Sequence, residues 1–198
     1  MSTRKMVWSK TAGVLGIISP IVAFTCILLA INYYPQFSWT ENALSDLGVQ
    51  EGATAVLFNS GLIVSGVLAL VFATGLFLFL NKTLTKIGAS IFFLTAAALI
   101  AIGVFPENAE PMHYYASVTF FLLAPISLLV FTAHFLLMRK VRMGLFTFLV
   151  ATISAAIWIL YFAIQFVSGV AIPETVSALA ASTWVIVLGC KMAKQVQS

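Results

Sequence analysis

The chain has 198 residues, of which 62% are hydrophobic and only 8% are charged. Soluble domains are about 45–50% apolar and about 25% charged, so a soluble fold of this size could not bury this much apolar surface. The composition excludes a soluble globular protein and predicts a single transmembrane domain over residues 1–198. The net charge of +4 does not indicate a nucleic-acid partner, because the basic residues form no single run or stripe.

Several apolar stretches are long enough to cross a bilayer as a helix, which takes about 20 residues. In chain order they are residues 11–32, 54–80, 87–105, 113–138, 144–168 and 174–190. The first stretch is longer than the apolar region of a signal peptide, about 7–15 residues, so we interpret it as a retained helix. The sequence therefore predicts an all-α fold, a polytopic bundle of six transmembrane helices.

The charged residues separate according to the connection in which they lie. All 10 Lys and Arg residues fall near the termini or at the second and fourth connections, whereas all 6 Asp and Glu residues fall at the first, third and fifth. Cytoplasmic segments of membrane proteins collect Lys and Arg. We therefore expect a multi-pass protein of the cell membrane with cytoplasmic N- and C-termini and an acidic outer face.

The first outer connection, residues 33–53, is the longest and carries its own helix signals. Ser38 followed by Glu41 forms the pattern of a capping box, and Gly48 is a natural helix end. The apolar residues between these signals share one helical face: Trp39, Ala43, Leu44 and Leu47. This pattern predicts a short interfacial helix whose polar face looks over the mouth of the bundle.

His113 is the strongest candidate for chemistry. It lies in the first turn of the predicted fourth helix, and Ser117 follows one turn later on the same face. A histidine beside carboxylates can act as a general base or a metal ligand. We expect Asp46 to orient His113 or to be its co-ligand, Ser45 or Ser117 to be the nucleophile, and Glu107 to participate. The alternative is that His113 only forms hydrogen bonds near the interface.

Other polar residues at the predicted outer face are expected to contact a substrate: Asn59, Ser117 and Gln165. The sequence contains no zinc signature, phosphate-binding glycine loop or serine-hydrolase elbow, so no metal site is predicted and the cofactor stays unknown. His134 follows His113 by about 30 Å along the same predicted helix, and we interpret it as structural. Cys26 and Cys190 are interpreted as buried structural thiols.

Three short segments together resemble a prokaryotic, largely archaeal family of six-helix membrane proteins known only as a domain of unknown function. The segments contain Leu-Ser-Asp-Leu-Gly at residues 44–48, Phe-Asn-Ser-Gly at 58–61 and Phe-Pro-Glu at 105–107, followed by His113. The resemblance implies the six-span fold but assigns no reaction. It places these residues at motif positions: Ser45, Asp46, Asn59, Glu107 and His113.

The leading functional hypothesis is an outward-facing polar pocket that binds, hydrolyses or remodels a lipid or other amphiphile. One alternative is a non-enzymatic accessory or scaffold protein, and another is a channel-like oligomer. We expect membrane lipids as partners and do not expect a nucleic acid. A homo-oligomer is a further possibility that the sequence leaves undecided. An ion-coupled carrier is disfavoured, because the centres of the predicted spans carry almost no ionisable residues.

Overall fold

The computed structural model describes residues 3–79 and 82–194, in which all regular structure is helical. The six long helices are α1 (Thr3–Asn32), α2 (Ala53–Phe79), α3 (Thr83–Val104), α4 (Met112–Leu137), α5 (Val141–Ile164) and α6 (Ala171–Lys194). Each of the 6 has the length and composition needed to cross a membrane. The described residues contain no strand, so the predicted all-α class is confirmed.

The helix ends differ from the predicted ones for physical reasons. The first helix begins at Thr3 rather than near residue 11, and α6 extends to Lys194 rather than Cys190. Hydropathy detects only the part of a helix that lipid can cover, whereas the backbone hydrogen bonds continue into polar sequence. In contrast, α5 ends at Ile164 rather than near residue 168, because Gln165 adopts a left-handed conformation with φ of 43°.

Consecutive helices pack against each other, and α6 returns to pack against α1, which closes the bundle into a ring. The backbones of α1 and α6 meet at two glycines: a Cβ atom on Gly13 would lie 2.7 Å from the carbonyl oxygen of Gly189. Small residues permit this close approach between membrane helices. Trp184 of α6 is fully buried in the core, where its ring lies 4.9 Å from that of Phe131 and 5.9 Å from that of Phe92.

The two ends of the bundle differ in charge. At one end, here called the basic end, α2 leads to α3 and α4 leads to α5, with cations that include Lys82 and Arg139. At the other, here called the acidic end, lie residues 33–52, 105–111 and 165–170. All 6 acidic residues of the chain lie in these connections or beside them. Which end faces the cytoplasm stays a prediction from the charge pattern.

The first connection, residues 33–52, is here called the 33–52 loop. It contains a 3₁₀ helix, Ser45–Val49, shorter than the helix expected from Ser38 onwards. The expected capping box is wrong, because the N–H of Ser38 donates to Oδ1 of Asn42 at 2.8 Å. Asp46 likewise accepts from the N–H of Ala43 at 3.0 Å. Short polar side chains that bind nearby backbone groups in this way compete with α-helix formation.

Candidate functional site

The 33–52 loop is fastened across the acidic end of the bundle by backbone hydrogen bonds. The N–H of Gly169 donates to the carbonyl of Thr40 at 2.8 Å, and the N–H of Ala171 donates to that of Asn42 at 2.9 Å. A Cβ atom on Gly169 would lie 2.3 Å from the backbone oxygen of Asn42, so only glycine allows these two segments to approach this closely. The loop is thereby held over the start of α6.

Glu174, in the first turn of α6, continues this attachment with its side chain. Its Oε2 atom accepts a hydrogen bond of 2.7 Å from the N–H of Leu44. The side chain is only 8% exposed, and its second oxygen has no hydrogen-bond partner among the residues that the structure describes. A buried carboxyl within a membrane span is costly, and such groups usually mark functional positions.

A cavity of about 120 Å³ lies beneath the 33–52 loop. Its walls come from α1, α2, α3, α4 and α6 together with Leu44 and Ser45 of the loop. The polar side chains at its acidic end are Ser45, Ser117 and Glu174. An engineered apolar cavity of about 150 Å³ binds benzene, so this space suits a short apolar segment rather than a whole lipid.

Three of the polar side chains deeper in the cavity, Ser19, Ser65 and Thr95, already form hydrogen bonds within the protein. Ser19 and Ser65 bind each other's backbone carbonyl oxygens, each at 2.9 Å, and thereby join α1 to α2. The hydroxyl of Thr95 donates to the carbonyl of Ile91 within its own helix at 3.0 Å. The remaining lining is largely apolar. The charged side chain of the lining, Glu174, is at the acidic end, while Ser182 is a further hydroxyl deeper in the cavity.

His113 is 6% exposed and both of its ring nitrogens are in use. Its Nδ1 atom lies 2.8 Å from the carbonyl oxygen of Phe105, which can only accept, so Nδ1 carries the proton. In the neutral ring Nε2 is then the acceptor, and the Ser117 hydroxyl 3.3 Å away is the matching donor. The expectation that Asp46 orients His113 is wrong: the chain turns back between α3 and α4, and this places the Phe105 carbonyl against the ring.

Asp46 instead belongs to a carboxyl pair with Glu107. Its Oδ2 atom accepts from Nδ2 of Asn42 at 2.6 Å, and its side chain also hydrogen-bonds with Glu107. Partial burial of Glu107, together with this hydrogen bond and the negative charge of Asp46, raises the pKa of Glu107 to about 7. A hydrogen bond with Ser45 acts in the opposite direction. The pair connects the 33–52 loop to the connection before α4.

The structure thus brings most of the candidate residues into two small groups. Ser45, Asp46 and Glu107 form one group, and His113 with Ser117 forms the other. Ser45 and Ser117 line the same cavity.

Two residues expected to contact a substrate lie elsewhere. Asn59 donates from Nδ2 to the carbonyl of Gly48 at 2.9 Å and so holds the 3₁₀ helix against α2. Gln165 is exposed at the end of α5 and does not line the cavity. Their contact with a substrate stays a prediction.

Sequence reasoning did not select Glu174 as a site residue. The available signal was its position: it is an acid at the edge of a predicted span, separated from the other acids by a long stretch of sequence. In residues 3–79 and 82–194, no group of His, Cys, Asp and Glu side chains is arranged to hold a metal ion.

Comparison with known proteins gives a family but no activity. A family model described as "Protein of unknown function (DUF998)" matches residues 17–191, which is most of the chain. No curated protein and no solved structure matches the sequence. The largely archaeal distribution and the motif positions suggested by the resemblance stay predictions.

Proposed function

We propose that this chain, which belongs to the family of unknown function DUF998, binds a lipid or other amphiphile at its acidic end, with a short apolar segment of that ligand in the cavity. The observation that carries the proposal is the buried carboxyl of Glu174 at the end of a cavity with largely apolar walls. One oxygen of this carboxyl fastens Leu44, and the other is available to a ligand. From the charge pattern, we expect this end to face the outer leaflet.

The distribution of polar groups supports an amphiphile rather than a wholly polar ligand. The inner part of the cavity offers largely apolar walls, and the hydroxyl groups of Ser19, Ser65 and Thr95 there are already bonded within the protein, so it suits an alkyl segment. Its acidic end offers Ser45, Ser117 and Glu174, with Asp46 and Glu107 nearby. These acids favour a headgroup with hydrogen-bond donors, such as an amine or hydroxyl, over an anionic one.

A cavity-filling variant tests this proposal. Ala181 lines the cavity on α6, whereas Ala156 is exposed on the outside of α5. We expect Ala181→Phe to abolish retention of bound lipid, measured by native mass spectrometry of protein released from nanodiscs. Ala156→Phe adds the same bulk on a lipid-facing surface and should leave retention unchanged. Equal retention in the wild type and both variants would remove the cavity as the binding site and favour an accessory, scaffold or channel-like role.

Hydrolysis or remodelling of an ester lipid is a second candidate, supported by the contact between Ser117 and His113. In this reaction Ser117 Oγ would attack the ester carbonyl carbon while its proton passes to Nε2 of His113. The bond to the leaving alcohol would break as that alcohol takes the proton, giving an acyl-serine. Water would then hydrolyse the acyl-serine, with His113 again accepting and returning a proton. Ser45, which lines the same cavity, and Glu107, which forms a hydrogen bond with Ser45, would be further participants.

The enzymatic candidate has its own matched pair of serine variants. Ser117 and Ser182 both line the cavity, and only Ser117 is known to contact His113. We expect Ser117→Ala to abolish release of fatty acid from ester lipids in proteoliposomes, and Ser182→Ala to preserve it. If the wild type binds lipid but releases no fatty acid, the reaction is excluded and the binding proposal stands. Equal activity in Ser117→Ala and the wild type would exclude Ser117 as the nucleophile.

A further inference from the structure

A second cavity lies at the basic end, between the ends of α2, α4, α5 and α6. It is a cleft of about 760 Å³, much larger than the cavity at the acidic end. Its apolar lining consists of Leu76, Phe135, Val141, Met143, Leu188 and Met192. Its remaining lining residues are all cations: Arg139, Lys140, Arg142 and Lys191. A space that combines an apolar floor with a cationic rim suits an amphiphile of the opposite charge.

The positive charge of this cleft is not neutralised by neighbouring acids. All 6 acidic residues of the chain lie at the acidic end, on the far side of the bundle. Arg139, Lys140 and Arg142 are exposed, and the Nζ atom of Lys191 donates to the sulfur of Met143 at 3.2 Å. These cations are therefore available to an anion that enters the cleft.

The backbone at the start of α5 adds further donors to the same rim. Lys140 is the residue that precedes the helix, and its side chain makes no capping hydrogen bond. The free N–H groups of a helix N-terminus, together with the helix dipole, favour a bound anion. Because Arg139, Lys140 and Arg142 flank this N-terminus, side-chain and backbone donors point to the same ligand chemistry.

Arg139 occupies a backbone conformation in which glycine or asparagine is normally favoured. It lies just after α4 with φ of 56°, in the left-handed region. Local backbone energetics do not explain an arginine at this position. At this strained position the Arg139 guanidinium lies at the rim of the cleft. Arg139→Gly is a useful variant, because it removes the charge and also relaxes the backbone.

We propose that this cleft binds a phosphate-bearing anion, the headgroup of an anionic phospholipid, whose chains contact the apolar floor. The positive-inside rule accounts for basic residues at this end of the bundle, but not for their arrangement around one cleft. Basic pockets between membrane helices on the cytoplasmic side are a known form of lipid-headgroup site. A soluble phosphate would satisfy the same cationic rim but would make no use of the apolar floor.

We compare two double variants, each of which removes two cations from the basic end. The comparison shows whether binding depends on the cations of the cleft or only on the total positive charge. Arg139→Gly with Arg142→Gln removes two cations that line the cleft. Lys82→Gln with Lys86→Gln removes two cations at the start of α3, neither of which lines the cleft. The full-length protein is placed in phosphatidylcholine nanodiscs and titrated with phosphatidylglycerol or with inorganic phosphate, and the apparent Kd is measured for each.

We expect the cleft variant to weaken phosphatidylglycerol binding about tenfold or more, since each cation near an anionic headgroup contributes about 1 kcal/mol. The control variant should change the Kd by less than about twofold. The cleft variant could weaken the binding of inorganic phosphate to the same extent, while phosphatidylglycerol binds no more tightly than phosphatidylcholine. In that case the cleft is a phosphate site whose ligand is soluble phosphate. Equal weakening by both double variants, or no binding of either probe by the wild type, would overturn the proposal. If the cleft variant does not fold, Lys140→Gln with Lys191→Gln replaces it in the same comparison.

Discussion

The backbone N–H of Leu44 donates a 2.7 Å hydrogen bond to Oε2 of Glu174, a residue 130 positions away in the sequence. This bond joins the 33–52 loop to the first turn of α6 and uses one oxygen of a carboxyl that also lines the cavity. The cover of the cavity and the proposed headgroup contact therefore depend on the same side chain. A ligand at the free oxygen of Glu174 would be bound next to the point at which the loop is fastened.

The first prediction concerns this bond. Glu174→Ala should destabilise the protein by about 1–3 kcal/mol, because it leaves the buried N–H of Leu44 without an acceptor. Glu174→Gln keeps an acceptor oxygen and should cost less. Thermal unfolding in detergent micelles measures both effects.

The control for Glu174 is Glu41→Ala, which removes an exposed acid from the 33–52 loop and should change stability by no more than about 0.5 kcal/mol. If Glu174→Ala unfolds at the same temperature as the wild type, the Leu44 bond does not hold the loop.

The second prediction concerns Gly169, where the α5–α6 connection lies against the 33–52 loop. Gly169→Ala places a methyl group 2.3 Å from the Asn42 oxygen, so the two segments must separate. Overpacking of this kind costs about 1–3 kcal/mol. We expect a lower unfolding temperature and weaker lipid retention.

Ser168→Ala serves as the matched change at the neighbouring position, because it removes only an exposed 2.9 Å hydrogen bond to the Thr40 carbonyl. It should have little effect on either measurement. If the two variants behave alike, the close approach at Gly169 is unimportant.

The third prediction is a pH dependence that originates at Glu107. Burial and Asp46 raise the pKa of Glu107 from 4.5 to about 7, so the folded protein holds this proton more tightly than the unfolded chain. The stability contributed by the protonated carboxyl is fully present below about pH 4.5 and is lost as the pH rises through about 7. Glu107→Gln should flatten this part of the stability profile, measured by thermal unfolding between pH 4.5 and 8.

Glu51→Gln tests whether the pH effect is specific to Glu107, since Glu51 is an exposed acid at the same end of the bundle, in the 33–52 loop. It should keep the wild-type pH profile. A Glu107→Gln profile as steep as that of the wild type would assign the titration to another group.

The fourth prediction is the orientation in the membrane. After Cys26 and Cys190 are replaced by alanine, Glu51→Cys introduces a thiol at the acidic end and Lys82→Cys introduces one at the basic end. A membrane-impermeant maleimide added to intact cells should label position 51 and reach position 82 only after lysis. The reverse labelling pattern would refute cytoplasmic termini.

The sequence predicted the helical framework well, because both of its signals are local. A run of apolar residues long enough to cross a bilayer must form a helix, since lipid offers no partner to backbone N–H and carbonyl groups. The same reasoning fails where the backbone can bind its own polar side chains. Residues 38–47 follow a helical pattern, but Asn42 and Asp46 bind nearby backbone N–H groups, and the helix begins only at Ser45.

The candidate site was predicted in its members but not in its contacts. His113 and Ser117 are one turn apart on one helix, so their contact follows from the helical repeat. The group that holds the other ring nitrogen is the Phe105 carbonyl, and backbone carbonyls carry no signature in a sequence. The sequence alone therefore determined the spans and the charge asymmetry, since composition and helical spacing are sufficient for both. Only the tertiary structure decided that Glu174 meets Leu44 and that the basic residues surround one cleft, because these contacts join distant segments whose approach depends on how the helices pack.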